Sequence, residues 1–502
     1  VSRRREARVI EADVCVIGAG AGGAVAAAEL AEGGASVVVL EQGPHHDADR
    51  FSARPLDMLA RLYRDGGQTT TLGTPPILLP LGRGLGGTTL VNSGTCFRTP
   101  PAVLERWRSE FGLEALAEEH ALDPCFERVE AALSISEVTP ELAGRNAAIA
   151  RRGAEALGWS HGFLRRNARG CVGSGVCAFG CPTSAKQHVG ITYIPRAEAA
   201  GAQVISGADV RHVLVERGVA RGVEARLANG GGRLEVRAPT VIVACGTIHT
   251  PLLLARSGLG RASGELGHNL ALHPATGAFA LMDEVVDMAR GVPQSFYVDE
   301  FASEGIIFEG VAGPPSYVAM SLPLSGKRHA DAMANYRNLA MFGLMVSDRS
   351  RGSVRSLAGR PVIRYELVEE DAARFRSGLR RMDELFRAAG AREVYLPLPR
   401  GVEPERARAR DLKLMAFHPL GTARADARPE HGVVDGDLAL HGAQGVYVAD
   451  GSVVPSSLGV NPQLTIMALA TRLAFHLLGR ATTAPRDVPQ TETTDAARER
   501  VA

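Results

Sequence analysis

Residues 13 to 41, DVCVIGAGAGGAVAAAELAEGGASVVVLE, constrain the fold more than any other part of the chain: in under thirty residues they spell a strand, a glycine turn, a helix and a second strand. Val14 to Ile17 are an apolar run short enough for a buried parallel strand, and Gly18, Gly20 and Gly23 follow at the G-x-G-x-x-G spacing. The first glycine permits the tight turn. The second lets backbone approach a pyrophosphate, and the third lets the Ala-rich helix lie close to the sheet with its N-terminal N–H groups facing the phosphates. Gly33-Gly34 end that helix, Val37 to Leu40 give the next strand, and Glu41 closes it, where a carboxylate can accept from a ribose 2′-OH. The stretch reads as a dinucleotide cradle in an α/β, Rossmann-like domain, for FAD or NAD.

The spacing alone does not single out this copy, since Gly82, Gly84 and Gly87 in LGRGLGG repeat it and Glu105 lies as far beyond Gly82 as Glu41 beyond Gly18. Only the first copy sits between strands of the right length. The second runs into TTLVN, whose β-branched residues do not start a helix, so it is expected to serve a different purpose. Successive glycines expose backbone N–H groups able to cradle a phosphate or a ring edge, and Asn92 offers a donor and an acceptor.

With 502 residues the chain has room for several domains, and a formal charge of +1 gives no electrostatic reason to expect nucleic acid. No window approaches the ~18 consecutive apolar residues of a membrane span. The arginines of VSRRREARVIEAD are interrupted by Glu6 and Glu11 and precede no apolar segment, so a cytoplasmic location is expected, with peripheral membrane attachment as the alternative. Residues 44 to 80 read as a covering loop with an amphipathic segment at Leu56 to Leu62, and residues 101 to 158 as helices. Tyr193 to Val243 read as short strands ending in a buried one that rejoins the nucleotide sheet. Residues 275 to 404 read as strands (GAFALM, GIIFEGV, YVAMSLPL, LAMFGLMVSD, VIRYELV) followed by a helix from Glu369 to Ala389.

Two further stretches carry chemistry. In RGCVGSGVCAFGCPTSAKQH, Cys171, Cys177 and Cys181 lie close together in a glycine-rich loop. Three soft ligands there can wrap an iron-sulfur cluster, or a zinc ion with His188 as fourth ligand; a local disulfide or reduced thiols are the plainer readings. At the C-terminal end, MAFHPLGTARAD and GVYVADGSVVPSSLGVNPQLTIMALATRLA bring His418 and Asn461 into play. Removing hydride from a carbinol carbon needs a base at the hydroxyl proton and an orienting polar group, and these two residues can supply both.

LGRGLGGTTLVNSG, GTIHTPLLLARSGLG, GHNLALHP, HPLGT, ADGS and GVNPQLT occur in an order that resembles the glucose-methanol-choline (GMC) family of flavin oxidoreductases. The C-terminal part is most similar to the cholesterol oxidase and long-chain alcohol oxidase type. The chain departs from the family pattern at Cys96-Phe97. The resemblance implies FAD held by Gly18, Gly20, Gly23, Glu41, Gly86, Gly87, Asn92, Gly246, Asp450, Gly451 and Gln463, with His418 and Asn461 as the catalytic pair and His273 structural. It implies an FAD-binding domain from residues 9–95, 190–274 and 405–480, and a substrate domain with an antiparallel sheet and helices from 96–189 and 275–404. Residues 1–8 and 481–502 are left as flexible termini. The implied reaction is oxidation of an alcohol, an apolar one, by hydride transfer to flavin N5, with dioxygen or a separate acceptor protein taking the electrons. The cysteine loop resembles the cluster loop of GMC-type sugar dehydrogenases, so a dehydrogenase subunit with an iron-sulfur relay is one alternative. A non-redox flavin lyase is another.

Overall fold

The computed structural model describes residues 8–118, 120–228 and 230–480. The expectations for residues 1–7 and 481–502 lie outside them. Five parallel strands form the nucleotide sheet in the order Val446–Val448, Thr240–Val243, Val14–Ile17, Val37–Glu41, Gln203–Ser206. Val14–Ile17 and Val37–Glu41 are wholly buried and Thr240–Val243 is buried after Thr240, which suits their apolar runs. The helix Ala21–Glu32 packs between the helices Gln463–Leu477 and Tyr193–Ala199. Its glycines explain the close fit. A Cβ on Gly23 would meet the Gly18 carbonyl oxygen at 2.0 Å, and one on Gly22 the Ala449 oxygen at 1.8 Å.

A four-stranded sheet (Arg8–Glu11, Gly232–Arg237, Val219–Leu227, Ala208–Glu216) lies next to it in the chain. The second large sheet contains Ala275–Leu281, Leu339–Val346, Ile306–Gly310, Phe296–Val298 and His161–Phe163 in antiparallel order. The helices Pro140–Leu157 and Glu369–Ala388 pack against it and each other. Ile77–Leu78 and Leu414–Met415, both inside segments that the sequence division gave to the nucleotide part, pair at the edge of this second sheet.

Two local expectations are corrected, and one further strand, which includes Arg8 of the segment expected to be flexible, carried no signal in the sequence. YVAMSLPL is not a strand: Pro314-Pro315 start a helix over Pro315–Ser321, proline being preorganised for the first helical turn. Tyr193–Ala199 is a helix, so the run of short strands begins only at Gln203. The polar N-terminal segment contains a strand, Arg8–Glu11, whose exposed alternation gave no apolar signal.

Candidate active site

The glycine motifs meet across a cavity of about 950 Å³. Gly86 N donates to Ala19 O (2.9 Å), and a Cβ on Gly87, whose φ is +53°, would sit 2.9 Å from the Cα of Gly20. The second glycine string therefore abuts the first, backbone to backbone. Gly18, Gly20, Glu41, Gly87, Asn92, Gly246, Asp450, Gly451 and Gln463 all line the cavity. Gly23 and Gly86 stand behind the wall and bring its parts together.

Glu41 accepts from Ala19 N (3.0 Å) and Gly43 N (2.6 Å), which fixes both turns beside it. Burial pushes its pKa up while these bonds pull it down. Asp450 ties the edge strand to the turn after Thr240–Val243. Its Oδ2 accepts from Gly246 N (2.8 Å) and Thr250 Oγ1 (2.5 Å), and its Oδ1 from Ser452 N (2.8 Å). Asn92 Nδ2 donates to Gln463 Oε1 (2.6 Å), leaving Asn92 Oδ1 buried without a partner.

At the other end of the cavity, Asn461 Nδ2 lies 3.3 Å from His418 Nε2 and 3.4 Å from Glu309 Oε2. The sequence reading brought His418 and Asn461 together; it missed Glu309. An acid inside the apolar run of Ile306–Gly310 was the available signal, since a carboxylate on a buried strand needs a partner or a use. Glu309 is 4% exposed, and burial raises its pKa to about 7, against the lowering influence of the Asn461 hydrogen bond. Gln294 Nε2 donates to Glu309 Oε2 (2.5 Å), while Glu309 Oε1, Asn461 Oδ1 and His418 Nδ1 have no partner. His418 faces the cavity; desolvation, then the neighbouring His273, hold its pKa well below the ordinary imidazole value. Unsatisfied buried polar atoms clustered on one cavity wall are what a site complementary to an absent polar ligand presents.

The cysteine loop does not gather its thiols into a ligand set. Among the described residues no three His, Cys, Asp or Glu side chains are gathered to hold an ion, and all seven cysteines are free thiols. The thiols are instead engaged one by one. Cys171 Sγ accepts from Gly173 N (3.5 Å), Cys177 Sγ from Arg166 Nη2 (3.3 Å) and Cys181 Sγ from Lys186 N (3.5 Å). His188 is buried with its Nδ1 unpaired, and its pKa is pushed down to about 3. The loop is organised by Lys186 rather than by a metal. Its Nζ donates to Leu90 O (2.8 Å), Asn92 O (2.7 Å) and Cys177 O (2.9 Å). Burial pulls its pKa down to about 8, yet three carbonyls take up its three N–H groups and favour the ammonium form at neutral pH.

This fold and this cavity are those of a nucleotide-dependent oxidoreductase class, and the comparisons place the chain within it. Residues 59–275 and 348–470 match the N- and C-terminal models of the GMC oxidoreductases, and residues 16–57 match an NAD(P)-binding Rossmann-like domain. An uncharacterised GMC-type oxidoreductase of Mycobacterium tuberculosis is 45% identical over 479 residues, 93% of this chain and 76% of that protein. The long-chain-alcohol oxidase FAO1 of Arabidopsis thaliana is 28% identical over 520 residues, 93% of this chain and 67% of that protein. Pyridoxine 4-oxidase from Mesorbium loti superposes with a TM-score of 0.73 at 19% identity, covering 92% of this chain and 98% of that one. The chain belongs to the GMC oxidoreductase family.

No described helix is long and apolar enough to cross a membrane.

Proposed function

We propose that the protein binds FAD in this cavity and oxidises an apolar alcohol to a carbonyl compound. The observation that carries this is the union of a glycine-lined trough and the His418–Asn461–Glu309 cluster in one cavity wall. The residues fit the cofactor. Gly18 and Gly87 admit no side chain, as a Cβ on Gly18 would meet the Ala244 oxygen at 2.3 Å, and backbone N–H groups can therefore reach a pyrophosphate. Glu41 stands at the end of its strand for the ribose, and Asn92, Gly246, Asp450, Gly451 and Gln463 continue the trough. Gly23 and Gly86 hold its walls together. When bound, FAD supplies the hydride acceptor.

His418 and Asn461 then hold the substrate hydroxyl. With the Asn461 amide donating toward it, His418 Nε2 carries the lone pair that receives the hydroxyl proton. Its low proton affinity at rest keeps it free to act. Glu309 provides a carboxyl poised near neutrality beside the same amide, able to hold a proton within the site. The segments 9–95, 190–274 and 405–480 form the FAD-binding part in this reading, apart from Ile77–Leu78 and Leu414–Met415, which pair into the second sheet.

Met341, Leu344, Met345 and Val311 line the cavity beside this cluster, which favours an apolar substrate over a sugar. FAO1, similar along nearly the whole chain, is described as a long-chain-alcohol oxidase. The cysteine thiols are each bound to a separate donor, which favours reoxidation of the cofactor by dioxygen or a docked acceptor protein. The test is anaerobic: fatty, sterol, aryl and sugar alcohols are mixed with the yellow protein and bleaching is followed. Faster bleaching by a sugar than by every apolar alcohol refutes the substrate class. Bleaching by none of them refutes the reaction.

A further inference from the structure

We propose that His273 is a positioning residue: a neutral imidazole that clamps the turn at Leu458–Gly459 and so sets Asn461 against His418. This rests on the reading of His418 and Asn461 given above. Asn461 needs such a clamp. Its own bonds to His418 and Glu309, at 3.3 and 3.4 Å, are too long to hold the amide in place, and its carbonyl oxygen has no partner.

The clamp is short where those bonds are long. His273 Nε2 accepts from Leu458 N at 2.8 Å and from Gly459 N at 3.1 Å. A ring nitrogen that accepts twice carries no proton, so the ring is the neutral Nδ1–H tautomer. Complete burial favours the same state, and Nδ1 has no other partner. Both bonds are lost if Nε2 is protonated or removed. Gly459 has a φ of +76°, which gives this turn little stiffness of its own.

His273 is itself held firmly. Asp348 Oδ1 accepts from His273 N (3.2 Å), and Asp348 Oδ2 accepts from Leu272 N (2.9 Å) and the Tyr365 hydroxyl (2.6 Å). The residue adopts a φ of +48°, left-handed backbone that a side chain with a Cβ seldom takes, and this directs the ring at the turn. The ring also stands edge-on to His418, with centroids 5.4 Å apart at 73°. A neutral neighbour at that distance lets His418 accept a proton, whereas a cation there opposes it. The sequence offers His273 only as part of GHNLALHP; the clamp appears when residues 185 positions apart in the chain meet.

The experiment compares His273→Gln with His273→Met in the flavin-loaded protein. The two side chains have equal length, and only glutamine keeps a strong acceptor. With 1-octanol as the reductant under anaerobic conditions, H273M lowers the saturating rate of flavin reduction by about 10-fold or more, while the half-saturating concentration stays within about twofold. H273Q recovers most of the rate. In an Asn461→Ala background, H273M costs less than about twofold, because the group it positions is gone. Equal slowing by Gln and Met, or full multiplication of the H273M and N461A effects, overturns the proposal. Hydrogen exchange at Leu458 and Gly459 gives a readout free of catalysis. Both amides are protected in the native protein and exchange at least about 10-fold faster in H273M; rapid exchange in the native protein also overturns the clamp, even if neither variant folds. If 1-octanol does not bleach the native flavin, or N461A has no effect on rate, it is the reading of the reaction that fails, and exchange still decides the clamp.

Discussion

Glu309→Gln separates the cost of burying a charge from its use. The Glu309 carboxyl is 4% exposed, and its pKa rises from an ordinary 4.5 to about 7. At about 1.36 kcal/mol per unit, keeping it ionised in the folded protein costs about 3 kcal/mol above neutral pH. The direction follows from proton binding. Between pH 4.5 and 7 the folded chain keeps a proton that the unfolded chain has released, so stability falls as pH rises through this window and the cost is complete above it. Below pH 4.5 both states are protonated and the cost vanishes. The amide replaces the carboxyl almost isosterically and still accepts from Gln294 Nε2, so E309Q removes the cost without opening a cavity. With an unfolding entropy of roughly 1 kcal/mol/K for a chain this long, its Tm exceeds that of the native protein by about 3 °C at pH 8. Near pH 4 the two coincide. Melting curves at half-unit steps from pH 4 to 8.5 test this, and parallel curves, or a variant less stable at every pH, refute the reasoning. Flavin reduction runs the other way: E309Q is slower, and a step in the native rate near pH 7 disappears.

Four further outcomes follow from the same geometry. His418→Ala slows anaerobic flavin reduction by ~10² or more while the flavin remains bound, as read by stopped-flow absorbance. Gly87→Val drives a side chain into the Gly20 backbone from a left-handed conformation, and the purified variant loses its yellow cofactor. Lys186→Met leaves the carbonyls of Leu90, Asn92 and Cys177 buried without a donor; about 1–3 kcal/mol for each lost partner sets the scale of the destabilisation, read by urea unfolding. Iron and acid-labile sulfide in anaerobically purified protein stay far below one per chain, and a stoichiometric content of both refutes the thiol geometry described above.

The nucleotide sheet was legible because its signals are local. Val14–Ile17, the three glycines and Val37–Glu41 follow one another, and burial on both faces writes itself as an unbroken apolar run. Thr240–Val243 was recognisable for the same reason. The strand Arg8–Glu11 was not, because edge position and exposure erase the apolar pattern. The helix Pro315–Ser321 was misread because a short apolar run has the same composition in either state, and Pro314-Pro315 was the cue that decided it. In the site, His418 and Asn461 were visible through neighbouring residues of characteristic order, whereas Glu309 is adjacent only in space. The three cysteines mislead in the opposite sense. Proximity along a loop says nothing about where the sulfur atoms point, and here separate backbone and guanidinium donors turn each to its own partner.

The edge strand Val446–Val448 has a temporal meaning as well as a spatial one. It is the last strand among the described residues and lies at one edge of the five, and Asp450 just beyond it secures the Gly246–Thr250 turn. A nascent chain that has emerged only as far as residue 440 possesses the trough glycines from Gly18 to Gly246 but lacks Asp450, Gly451 and Gln463, which line the same cavity. If FAD binds as proposed, its capture waits until the segment through Gln463 has been made. On that reading a product truncated before Val446 stays colourless.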